Sequence, residues 1–252
     1  MMSAQTVLEW QYEPKSFFEE KCTIEYAGGH IAIQDGNARG EFEATFYEQG
    51  RAFRDAAHQL LTDVFLVQQI QVHTPYALTP PSMTREHSDG RRDATGFPET
   101  LVVKVSLGDK IDIIHKDASG NILKDTRAER LNRHLSFRDD ALKLKPDKVL
   151  QKMMRSYKAA LSDRNNLFLY LYEIRDALKE ELGAEGLVCE AVGVSISDWR
   201  KFGQLSNDKP LLEGRHRGKH TGLGPATKYE ITWALEFNQR LIEGYVAFKS
   251  KR

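Results

Sequence analysis

Cysteine is almost missing from this chain. Cys22 and Cys189 are the only two among 252 residues. Neither has a neighbouring cysteine for a zinc-type pair, and one bridge is the most they can form. This excludes a disulfide scaffold and fits a reducing compartment. Long apolar runs are missing too: the longest falls far short of the roughly 20 residues a membrane helix needs. No membrane contact is therefore expected. Met1 to Trp10 lacks a basic stretch followed by an apolar core, so no secretory leader is expected there, and the expected location is cytoplasmic. Internal repeats and low-complexity tracts are also lacking.

Net charge is the next absence, since 36 Lys and Arg balance 36 Asp and Glu. The balance conceals an asymmetry. From Ala141 onward there are 20 basic and 14 acidic residues, a surplus of +6, which leaves 16 basic and 22 acidic residues before it, a surplus of −6. A nucleic-acid contact, if the protein makes one, belongs to the C-terminal half. With 40% hydrophobic residues the chain is apolar enough to bury a core, which excludes general disorder.

The hydrophobic period divides the chain. Val7 to Tyr12, Cys22 to Tyr26, Ile31 to Ile33 and Glu41 to Phe46 alternate as strands, and Asp35-Gly36-Asn37 is a turn signal between two of them. Phe53, Ala56, Ala57, Leu60, Leu61 and Val64 predict a helix, after which Val67 to Tyr76 reads as a return to strand. Thr79 to Glu99, with three prolines and two glycines among polar residues, reads as a long loop. Leu101 to Leu107 and Lys110 to Lys116 read as two more strands. Beyond about Asp125 the period approaches 3.6. Arg127 to Asp140 is a charged connector helix. A helix with Pro146 in its first turn presents Val149, Leu150, Met153, Met154, Tyr157 and Leu161. The next, capped by Asp163, presents Leu167, Leu171, Ile174, Leu178 and Leu182 and stops at Gly183. Two short helices flank Gly193. Thr227 and Glu230 form a capping box for the last helix. The expected fold is α+β: a mainly antiparallel β domain with one helix over 1–124, a helical connector over 125–145, and a helical bundle over 146–252.

Chemistry concentrates in one segment. Gly214 to Pro225 packs Arg215, Arg217, Lys219, His216, His220 and four glycines into twelve residues between two helices. Such a loop suits a polyanion, and histidine titrates near neutrality, so it can move a proton there. The bland alternative is a basic loop whose Arg215 pairs with Asp208 or Glu213 and pins the bundle. The stretch from Leu187 to Trp199, with Gly193 at its centre, offers a further alternative: a helix-turn-helix reading DNA with Arg200, Lys201 and Gln204.

A helical bundle carrying Arg215, four intervening residues and His220 resembles the HEPN superfamily, many of whose members are metal-independent ribonucleases. A second resemblance rests on Leu171 to Leu178, Val192 to Ser195, Asn207-Asp208 and Arg215-His216. This pattern is similar to a helical domain of bacterial proteins with an Asn-Asp pair ahead of an Arg-His pair and no assigned reaction. The HEPN resemblance implies a homodimer through the helical domain, with Arg215 holding a scissile phosphate and His220, or His216 if the adjacent pair matters, acting on the ribose 2′-hydroxyl. No metal or cofactor is implied. In that family the motif opens a helix, whereas the glycines here predict a loop. The expectation is thus a defence- or toxin-like protein that binds RNA or single-stranded nucleic acid and cleaves it without metal. Arg215, His216 and His220 are the catalytic candidates, and Arg217, Lys219, Asn207 and Asp208 contact the strand. The alternative is a non-catalytic recognition or scaffold protein whose β domain binds a partner.

Overall fold

Alternation in the first part of the chain produces an antiparallel sheet. The computed structural model describes residues 4–87, 89, 91–95, 114–116, 122–219 and 222–251. The fold is α+β, and the chain divides into two compact units, Met1–Gln68 with Thr74–Leu107 and Gln69–His73 with Gly108–Arg252. The first unit holds strands β1 (Gln5–Glu13), β2 (Cys22–Tyr26), β3 (Gly29–Gln34) and β4 (Asn37–Glu43), then helix α1 (Gly50–Val72), whose last turn falls in the second unit. Strands β5 (Ala77–Leu78), β6 (Ser82–Glu86) and β7 (Arg92–Thr95) follow. The sheet order is β2-β3-β4-β1-β6-β7, with β5 beside the end of β1.

Side chains alternate across the sheet, so Leu8, Trp10 and Tyr12 of β1 face inward with Ile31, Ile33 and Met83. Helix α1 covers this face. Trp10 donates its indole N–H to His58 Nδ1 at 3.2 Å, Phe53 meets Phe42 edge-on, and Phe65 meets Tyr12. On the opposite face Arg39 bridges Glu9 at 2.7 Å, Glu41 at 3.0 Å and Glu86 at 3.4 Å.

Two expectations in this unit are corrected. The segment from Val67 is not a strand, because α1 runs on to Val72. Val64, Val67 and Ile70 continue three-residue steps, and all three are buried. Part of the expected loop from Thr79 is a hairpin: β6 pairs with β1 and β7 pairs with β6. Its strands lack apolar alternation because charges stand on both faces of β6: Arg85, on the same face as the inward anchor Met83, pairs with Glu48, and Glu86, on the opposite face, pairs with Arg39 and Arg92. The expected strand from Leu101 to Leu107 lies outside the described residues, as does most of the one from Lys110. Of the latter, β8 (Ile114–Lys116) is described and pairs with β9 (Ile122–Asp125).

The second unit includes the β8–β9 pair and is otherwise mainly helical. Its α-helices after α1 are α2 (Thr126–Lys143), α3 (Lys148–Ser162), α4 (Leu167–Leu182), α5 (Glu185–Val192), α6 (Ile196–Asn207) and α7 (Lys228–Ser250). The charged helix α2 buries Phe137 and Ala141 and packs on α7. Pro146 sits ahead of α3 rather than in its first turn, and Asp147 is the cap: its carboxylate accepts the Leu150 N–H at 2.9 Å. Asp163 closes α3 instead of capping α4, which Asn166 precedes. Thr227 and Glu230 form both halves of the capping box of α7. Among the described residues no helix is long and apolar enough to cross a membrane.

Close packing of α7 on α5 depends on Gly244. A Cβ there would lie 2.1 Å from the carbonyl oxygen of Val192, so any side chain drives the two helices apart. Gly244→Ala should cost about 1–3 kcal/mol of stability. Gly186, in α5, is different: a Cβ at that position would meet nothing within 4 Å, so Gly186→Ala should instead stabilise by about 0.5–1 kcal/mol through helix propensity. Urea unfolding of the two variants checks both signs.

Asp147 also ties the ends of the bundle together. It receives the Tyr245 hydroxyl at 3.1 Å and the Lys249 ammonium at 3.3 Å, and Lys249 continues to Glu181 at 2.7 Å. Burial pushes the Asp147 carboxyl up, but the Leu150 N–H, Lys249 and Tyr245 outweigh it and hold it below the usual carboxylate range. Burial raises the Tyr245 hydroxyl to about 12, so it stays a donor at neutral pH. A folded-state value below the unfolded one, about 3.9, means the stabilisation is complete above that pH and is lost as pH falls through the folded value. Asp147→Ala should therefore cost about 1–2 kcal/mol at neutral pH. The gap from wild type should narrow steadily in urea titrations taken below about pH 4.

Candidate functional site

Helix α4 supplies one wall of the site. Tyr172, Arg175 and Asp176 lie three and four residues apart, so they share a helix face. Arg175 is buried, with its Nη2 at 3.0 Å from Glu185, and its guanidinium lies over Trp199 at 4.5 Å and Tyr172 at 5.1 Å. Tyr172 stacks on Phe202 of α6. Its ring also carries Arg215, whose guanidinium carbon lies 4.2 Å from the centroid.

The loop between α6 and α7 supplies the other wall. Its base is pinned: Gly224 N–H donates to Pro210 O at 3.0 Å, Leu212 N–H to Gly224 O at 2.9 Å, and Ala226 N–H to the Glu213 carboxylate at 2.9 Å. Arg215 N–H donates to Ser206 O at 2.9 Å, and Phe168 N–H of α4 donates to Glu213 O at 3.3 Å. The stretch is thus a loop closed at its neck. Arg215 precedes a single 3-10 turn, Arg217–Lys219, rather than opening an α-helix.

Asn166, Leu169 and the run from Gly214 to Gly218 line a cleft of about 460 Å³. Arg215, His216 and Arg217 therefore share one concavity. Their circumstances differ. Arg217 donates from Nε to Gly214 O at 3.0 Å and from Nη2 to Asn165 O and to the Asn166 side-chain oxygen, so it fastens the loop to the start of α4. Arg215 meets one carboxylate, Asp176, at 3.6 Å, and among the described residues its guanidinium makes no hydrogen bond. The expected pinning partners are corrected accordingly. Asp208 is exposed at the end of α6 and Glu213 holds Ala226, so neither pairs with Arg215. His216 is exposed on the cleft wall.

The remaining candidates are not gathered here. Asn207 ends α6 with its side-chain oxygen buried and unpartnered among the described residues, and neither it nor Asp208 lines the cleft. Lys219 ends the 3-10 turn. His220 lies outside the described residues, and so does the Lys219 side chain. Among the described residues no group of three or more His, Cys, Asp or Glu is arranged to hold a metal ion.

Sequence reasoning overlooked Tyr172, Asp176 and Asn166. The first two were visible as an aromatic and an acid at helical spacing. Asn166 had no signal, because its role depends on the loop returning to α4. No family model, curated protein or solved structure matches the chain.

The fork of Arg217 reaches acceptors on both sides of the cleft, which a lysine ammonium cannot do. Arg217→Ala and Arg217→Lys should both accelerate amide exchange at Arg215 and Phe168 by about tenfold, taking the lost ties as about 1.4 kcal/mol. Hydrogen exchange followed by mass spectrometry or NMR checks it, with the α3 core amides as the unchanged reference.

Proposed function

We propose that the helical unit binds RNA, with the cleft receiving a backbone phosphate between Arg215 and His216. One observation carries this reading. Arg215 lies over the Tyr172 ring in a cleft, 31% exposed, with its hydrogen-bond donors unused by the described residues and its one carboxylate at 3.6 Å. A guanidinium held on a ring is already oriented, and its planar fork matches two phosphate oxygens. The surplus of +6 in the C-terminal half supplies the longer-range attraction.

The resemblance to HEPN ribonucleases extends the reading to cleavage. Exposed His216, beside Arg215 in the cleft, takes the proton from a ribose 2′-hydroxyl. The freed 2′-oxygen attacks phosphorus, the bond from phosphorus to the 5′-oxygen breaks, and the imidazolium returns its proton to that leaving oxygen. The products are a 2′,3′-cyclic phosphate and a 5′-hydroxyl. Arg215 offsets the charge that grows on the phosphate oxygens. His220 is the alternative proton acceptor, and the helical unit pairs with a second copy in this form of the reading.

Fluorescence anisotropy with a labelled RNA strand is the test. Wild type should bind at low salt, and Arg215→Ala should weaken binding and reduce the logarithmic salt slope by roughly 0.7. Circular dichroism should be unchanged, since this side chain is outside the core. For cleavage, His216→Ala or His220→Ala should slow the reaction by about 10²- to 10⁴-fold and so identify the acting histidine. Absence of binding at low salt, or equal binding by Arg215→Ala, refutes the reading.

A further inference from the structure

Helix α6 and the start of α7 carry a second surface. Glu185–Val192, a turn through Gly193 in the left-handed region at φ 69°, and Ile196–Asn207 form a helix-turn-helix, with the Ser195 hydroxyl accepting the Asp198 N–H at 3.0 Å. Trp199 and Phe202 are buried, so the outward positions are Arg200, Lys201 and Gln204. The acid on this face, Asp198, is held by Arg240 at 3.3 Å. Arg200, Lys201 and Lys228 have no carboxylate partner among the described residues. The face is therefore cationic.

Two aromatic rings adjoin it. Tyr229 and Trp233 stand one turn apart on α7, and the Lys201 ammonium lies 4.1 Å from the Trp233 centroid and 5.8 Å from that of Tyr229. Trp233 is engaged by Lys201 and by Phe237, the latter in a parallel stack at 5.4 Å. Tyr229 is different: it is 70% exposed, the most exposed large apolar side chain among the described residues. A large ring kept in water between unpaired cations matches the arrangement that holds a single strand, where bases stack on aromatics and cations follow the phosphates.

We propose that Tyr229 is a base-stacking site for single-stranded nucleic acid, with Lys201 and Lys228 contacting the adjoining phosphates. It rests on the RNA reading above for its ligand and adds a second contact point, at the start of α7. A paired duplex fits less well. Its bases are already stacked, and Lys201 is drawn onto the rings, so only Arg200 and Gln204 of α6 are left to reach base edges in a groove.

The test titrates full-length protein into a labelled single strand, an abasic strand with the same phosphates, and a duplex. Tyr229→Ala should weaken binding to the base-bearing strand by about 5- to 100-fold, the range of one lost stack. It should leave the abasic strand and the salt slope unchanged. Tyr229→Phe should bind as wild type, since stacking uses the ring. Unchanged binding by Tyr229→Ala, equally tight binding of duplex, or a dimer that this variant breaks in sedimentation overturns the proposal. The two readings separate cleanly. If Arg215→Ala loses affinity and Tyr229→Ala does not, the cleft stands and the stacking site falls. The reverse pattern leaves the stacking site and removes the cleft, and wild type that binds no strand removes both.

Discussion

Burial of the Arg175 guanidinium constrains the helical unit more than any other single feature. A cation taken from water is costly unless neutralised and hydrogen-bonded. Glu185 of α5 supplies the opposite charge at 3.0 Å, while Trp199 of α6 and Tyr172 of α4 offer ring faces. One side chain thus fixes three helices against each other. Gly203, inside α6, follows from this. Glycine in a helix costs about 1 kcal/mol relative to alanine, yet a Cβ at that position would lie 2.3 Å from Arg175 Nη1. The weaker helix former is what the buried cation requires. Arg175 also sets the position of Tyr172, and Tyr172 sets the position of Arg215.

The glycine-rich loop therefore differs from its composition. Four glycines in twelve residues suggest a segment without fixed geometry. The neck closed at Pro210, Leu212, Glu213 and Gly224, together with the ties from Arg217 to Asn165 and Asn166, fixes its first half where Arg215 and His216 reside. The cations in the loop divide the work. Arg217 holds the wall, and Arg215 faces the cleft on a ring.

Periodic features were legible in the sequence and pairwise ones were not. The stripes of α3 and α4, the capping box at Thr227 and the turn at Gly193 each depend on a few adjacent residues, so local chemistry sufficed. The hairpin of β6 and β7 was hidden because β6 bears charges on both faces, and their partners, Glu48 and Arg39, come from distant elements. The end of α1 was missed because valine and isoleucine favour strands in isolation, while burial of Val67 and Ile70 favours the helix. At the candidate site Arg215, His216 and Arg217 stood out by type. That Arg215 pairs with Asp176 rather than Asp208 could not be read from spacing, because it depends on how the loop folds back over α4.

The two proposed contact surfaces share one support. Tyr172 stacks on Phe202, Phe202 meets Phe237, and Phe237 stacks on Trp233, so a continuous series of rings joins α4, α6 and α7. Arg215 lies on the ring at one end and Lys201 on the ring at the other. Phe202 and Phe237 in the middle are fully buried, which fixes the outer rings through close packing. A long cationic side chain normally loses much rotamer freedom when it binds an anion. Here each cation is already drawn onto an aromatic face, an attraction of about 0.5–1 kcal/mol when exposed. Part of that ordering is complete before any strand arrives, and the same buried rings that stabilise the bundle orient its cations.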